Sequence, residues 1–114
     1  MQQTSEILFS VYCPALSKDV ILLKNTWFGH IIKAHGSLRS KEGLLKRVIE
    51  KVDKPHRFLR FADEPKNFWF IDHQCPDFKP YHECLRIAFK LLEDSSVIVA
   101  SAYPIERGIM TYGT

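Results

Sequence analysis

Pro55 divides the chain into two kinds of hydrophobic spacing, and that division constrains the fold more than any other feature. Before it, Leu44, Leu45, Val48, Ile49 and Val52 recur on one helical face, and Pro55 cannot continue the helix they define. Ser40 stands where it can cap this helix, and Lys41, Lys46, Arg47, Lys51 and Lys54 cover its other surfaces as a solvated face. After Pro55 the period is two. Arg57–Phe61 leads to a turn at Asp63-Glu64-Pro65-Lys66, Asn67–His73 returns as an aromatic strand, and Tyr81–Leu92 and Ser96–Tyr103 follow, split by Glu93-Asp94-Ser95.

Upstream, Ile7–Tyr12 and Val20–Leu23 are short β-rich runs separated by Pro14 and Ser17-Lys18-Asp19. Asn25 or Thr26 can cap a first helix running to about His35, with Gly36 just past its end. The predicted fold is therefore α+β. Two N-terminal helices pack on a four-stranded antiparallel meander, with one or two short N-terminal strands, in a single domain over residues 1–114. In the third strand of the meander, Leu85, Ile87 and Phe89 point to one face, and His82, Cys84, Arg86, Ala88 and Lys90 to the other. This predicts one sheet face covered by helices and one open and polar.

Composition narrows the function classes only modestly. With 46% hydrophobic residues the chain can bury a core without disulfides or a metal. Sixteen Lys and Arg against thirteen Asp and Glu, net +3, permit a polyanionic ligand without demanding one. Three cysteines at irregular spacing and no apolar leader at Met1-Gln2-Gln3-Thr4 predict reduced thiols and a cytoplasmic location. No run is long enough to span a bilayer as a helix.

The first helix carries two histidines in Trp27-Phe28-Gly29-His30-Ile31-Ile32-Lys33-Ala34-His35-Gly36. A helix advances about 100° per residue, so Trp27, Phe28, Ile31, Ile32 and Ala34 form one apolar stripe. His35 falls near its middle and His30 at its edge. A histidine on such a stripe is ordinarily a satisfied core residue, but a polar ring aimed at a core needs a partner or a task. His35 would also lie in the last helical turn, where the negative end of the dipole favours an imidazolium.

Trp27-x-x-His30-Ile31-x-x-x-His35, a second helix ending before a proline, a basic residue in the penultimate strand and the final Val97-Ile98-Val99-Ala100-Ser101-Ala102-Tyr103 together resemble the barnase/EndoU/colicin/RelE superfamily of metal-independent ribonucleases, in its phage-associated and standalone branches. The resemblance covers residues 20–104, with Ser101 where the family often has threonine. It implies helices against an antiparallel sheet, RNA as substrate and no metal or cofactor. On this reading His30 or His35 is general base or acid, Arg86 binds phosphate through its planar fork, and Ser101 and Tyr103 orient the phosphate or assist proton transfer. Lys33, Arg60 and Lys90 are the expected substrate-binding cations. The reading leaves room for an antitoxin or immunity protein as partner, and predicts no membrane association.

Two other constellations compete. His73 with Cys75 and His82 with Cys84 are donors zinc accepts, although side chains two apart on a strand stand roughly 6.5 Å apart, wide for one ion. The cysteines are otherwise small apolar fillers. Phe68, Trp69, Phe70 and Tyr81 near Arg57, Arg60 and Lys66 could instead form a base-stacking platform in a non-catalytic single-stranded RNA-binding module. A protein-interaction domain of the same fold is the third class.

Overall fold

In the computed structural model, residues 6–55, 58–61, 63–72 and 84–105 are described, positions 37, 60, 61 and 65 by backbone alone. The chain opens as a hairpin of β1 (Ile7–Cys13) and β2 (Lys18–Leu23), turned through Ser17 at φ 55°. A first helical stretch, α1, follows over residues 24–34, then a 3-10 turn at Gly36–Leu38 and the helix α2 (Glu42–Glu50). Four further strands lie among the described residues: β3 (Leu59–Phe61), β4 (Glu64–Asp72), β5 (Cys84–Leu91) and β6 (Val97–Ile105).

All six strands form one mixed sheet in the order β1-β2-β6-β5-β4-β3. The expected four-stranded meander is thus only part of a larger sheet. The opening hairpin adds to it through a parallel β2–β6 pairing, a non-local contact that periodicity does not encode. That pairing involves only Val20 with Val97 and Ile21 with Ile98. Past it the chain turns into α1, which packs beside β6 and buries Trp27 and Ile31.

The β4 and β5 alternation sends Phe68, Phe70, Leu85, Ile87 and Phe89 to one face. There they meet Val20, Leu22, Trp27, Ile31, Leu45 and Ile49 in the main core. Phe58 packs edge-on against Phe68, Phe70 and Phe89, with ring centroids 5.4 to 5.6 Å apart, while Phe89 stacks on Phe68 and Phe70 at 5.4 and 5.8 Å. This crowding gives four aromatic rings their density without polar groups.

The other face departs from expectation. It carries a second buried cluster of Trp69, Ile71, Cys84 and Ile105, with Ala88 and Tyr103 packed against it, so it is not an open polar surface. β5 alone suggests polarity because Cys84 and Ala88 are small; β4 and β6 supply the apolar bulk on that side.

The helices differ as well. Neither Asn25 nor Thr26 caps α1, which begins directly after Leu23. Its middle, Trp27–Ile31, is a π-helical turn in which the Ile32 N–H donates to the Trp27 carbonyl five residues back. The wider turn rotates the following residues, so the predicted stripe breaks: Phe28 and Ala34 are exposed while Trp27, Ile31 and Ile32 are buried. Helix α2 starts after Lys41, with Ser40 at φ 66° rather than capping, and ends four residues before Lys54. Val52 still reaches the core from the connection that follows.

Candidate active site

His35, Tyr103 and Arg86 converge on the second sheet face, at the edge where α1 ends. The helix stops at Ala34, and His35 adopts φ −133° and ψ 76°, which turns it out of the helical stripe predicted for it. Its ring stacks on Tyr103, with centroids 5.0 Å apart and planes inclined by 22°. Tyr103 faces Arg86 across the β5–β6 ladder, and the Arg86 Nη1 donates a 2.7 Å hydrogen bond to the Tyr103 hydroxyl. Since the phenol accepts that bond, its own proton remains available to donate.

Arg86 is gripped from two sides. Its guanidinium carbon lies 4.3 Å from the centroid of Trp69 and 5.8 Å from that of Tyr103. Its Nε is buried and meets no hydrogen-bond acceptor among the described residues. A guanidinium held flat in this way would lose little further freedom on meeting an anion. Trp69 belongs to this group through its contact with Arg86, a role its residue type alone does not signal. Alternation along β4 would have separated it, with Ile71, from Phe68 and Phe70.

Ser101 shares the face of Tyr103, because the register sets Ser101 opposite Ala88 and Tyr103 opposite Arg86. It is half-buried two residues from the phenol. A bulge follows immediately, at Ala100, between the Ser101–Ala88 and Val99–Phe89 pairs. Lys90 is exposed on the Arg86 face four residues farther along β5, about 13 Å away at strand spacing. That distance exceeds the span of one phosphate group.

His30 and Lys33 are both exposed on α1. His30 makes no hydrogen bond or ring contact with His35, Tyr103 or Arg86. The structure therefore unites three of the five predicted catalytic residues, places Ser101 beside them and leaves His30 at the surface. Of Arg60, the described backbone pairs with Phe68; its side chain lies outside the described residues.

The competing constellations fare differently. His73, Cys75 and His82 lie outside the described residues, and Cys84 is fully buried beside Trp69 and Ile105. Among the described residues no three His, Cys, Asp or Glu side chains are grouped to hold a metal. The stacking platform is corrected: Phe68 and Phe70 are core residues and Trp69 lies beneath Arg86, so none of them presents an open ring face. Tyr81 and Arg57 lie outside the described residues, and Lys66 is exposed.

Comparison of the chain with protein-family models, curated proteins and solved structures finds no match to any of them. No helix among the described residues is long and apolar enough to cross a membrane.

Proposed function

We propose that this chain is a metal-independent endoribonuclease that cleaves RNA by transesterification. The observation that carries the reading is the junction at Tyr103, whose hydroxyl holds Arg86 while its ring stacks on His35. An imidazole, a phenol and a guanidinium are the groups the reaction needs within reach of one phosphate.

RNA supplies its own nucleophile. A general base, His35, takes the 2′-hydroxyl proton as the 2′-oxygen bonds to phosphorus. Arg86 stabilises the dianionic phosphorane through its donors. The bond from phosphorus to the 5′-oxygen breaks, and that oxygen leaves with a proton from Tyr103, His30 being exposed on α1 apart from this group. The products are a 2′,3′-cyclic phosphate and a free 5′-hydroxyl. Ser101 orients the phosphate from the same strand, and Lys90 and Lys33 meet neighbouring phosphates. A toxin-like cytoplasmic role restrained by an antitoxin or immunity protein accords with such an activity.

The guanidinium of Arg86, held in place on Trp69, supports one other reading, a non-catalytic RNA-binding module of the same fold in which Arg86 and the half-buried Tyr103 and His35 contact single-stranded RNA without the stacking platform of Phe68, Trp69 and Phe70.

The deciding experiment is incubation of the purified chain with total RNA in excess EDTA, beside His35→Ala and Arg86→Lys. The nuclease gives cyclic-phosphate ends that persist in EDTA and vanish in His35→Ala, with Arg86→Lys strongly impaired because lysine lacks the planar fork. RNA retained without cleavage by the native chain would establish the binding module instead. Cleavage undiminished in His35→Ala would remove the catalytic assignment.

A further inference from the structure

The two edges of the sheet are built differently. The β3 edge is three residues long and includes Arg60, and short, charged edge strands resist pairing with other chains. The β1 edge spans seven residues, Ile-Leu-Phe-Ser-Val-Tyr-Cys, with no charge, proline or glycine. Among the described residues no strand pairs with its outer side. Ile7 and Tyr12 are 53% and 55% exposed, among the most exposed large apolar side chains described.

The one device on β1 is a bulge between Ile7 and Phe9, which places Leu8 out of register and confines the regular edge to Phe9–Cys13. That five-residue stretch is self-complementary. In an antiparallel pairing centred on Val11, Val11 faces its own copy, Ser10 faces Tyr12 and Phe9 faces Cys13. Val11 and Cys13 are buried in their own core, so the exposed side chains brought together are Ser10 and Tyr12, an aromatic against a small residue on each side of the axis, as cross-strand packing favours. No like charges oppose each other. Antiparallel self-pairing also obeys a two-fold axis, so the contact closes at two copies and does not propagate into a fibre.

We propose that the β1 edge is a homodimer interface, joining two sheets into one continuous twelve-stranded sheet through Phe9–Cys13. The proposal is independent of the ribonuclease reading. β1 lies two strands from β6, so the group at Tyr103 stays accessible in the dimer. A contact of five residues a side is small beside standard interfaces, so the dimer is weak and forms at micromolar concentrations or above.

Sedimentation velocity across a concentration series tests the pairing and its register together. The native chain should shift from one to two monomer masses as concentration rises. Ser10 and Tyr12 are both exposed, so charges there leave the core untouched. Ser10→Lys/Tyr12→Lys sets lysine against lysine twice and should abolish the dimer, while Ser10→Lys/Tyr12→Glu sets lysine against glutamate and should restore it. Circular dichroism checks that each variant is folded. A native chain that stays monomeric to several hundred micromolar overturns the proposal, as does growth beyond two copies. Equal behaviour of the two double variants overturns the register.

Discussion

Tyr103→Phe isolates the bond on which the candidate site turns. The substitution removes the oxygen that accepts the 2.7 Å hydrogen bond from Arg86 and keeps the ring that stacks on His35 at 5.0 Å. A hydrogen bond to a charged group contributes roughly 1.5 to 3 kcal/mol, and because Arg86 is half-buried the lower end applies, about 1.5 kcal/mol. At about 2.1 cal/mol/K per residue, 114 residues unfold with an entropy near 0.24 kcal/mol/K, so Tm should fall by roughly 6 °C. Cleavage should fall by about 100- to 10,000-fold, the contribution of one positioned proton-transfer group, with RNA affinity nearly unchanged. Calorimetry and a single-turnover cleavage assay read the two quantities separately. An unchanged Tm would mean that the Arg86–Tyr103 bond contributes nothing in solution. A lowered Tm with full cleavage would make it a structural bond and refute the role given to Tyr103.

Three further perturbations probe other parts of the molecule. Phe89→Ala empties the centre of the four-ring cluster and should cost about 3 to 5 kcal/mol, lowering Tm by more than 10 °C in a thermal melt; a loss below about 1 kcal/mol would contradict the packing. The Asp94 carboxyl is held below its ordinary pKa by hydrogen bonds from the Ser96 hydroxyl and then the Ser96 backbone N–H. Its contribution to the β5–β6 turn is therefore present above the ordinary carboxylate range and lost as pH falls through the lowered value. The NMR shift of the Ser96 amide should follow that titration and lose it in Asp94→Asn, and a pH-independent amide would refute the bond. Replacing Lys33 and Lys90 together by alanine should weaken RNA binding evenly across sequences. The dependence of log K on log salt should become shallower by about 1.4, as two single-strand phosphate contacts require, and an unchanged slope measured by fluorescence anisotropy would remove both lysines from the interface.

What the sequence alone determined is what the backbone repeats locally. Alternation along Asn67–Asp72 and Cys84–Leu91 commits Phe68, Phe70, Leu85, Ile87 and Phe89 to one face, because successive side chains of any strand point oppositely. The period of Leu45 and Ile49 commits α2 to the same core, and Gly36 marks where α1 has ended. The histidine, the arginine and the tyrosine were legible as chemistry through their residue types. Their meeting was not. It depends on β2 pairing with β6 in parallel for only two residues, so that α1 rather than a strand flanks the rest of β6 and delivers His35 to Tyr103. It depends equally on the π turn at Trp27–Ile31, which departs from the uniform 100° step by which His35 was assigned to the stripe and His30 to its edge. The second apolar cluster, with Trp69 beneath Arg86, likewise exists only once β4, β5 and β6 lie side by side. Periodicity records how each segment can bury its own apolar face; which segments share a face is settled by pairing between residues distant in the chain, and the candidate site is built entirely from such pairings.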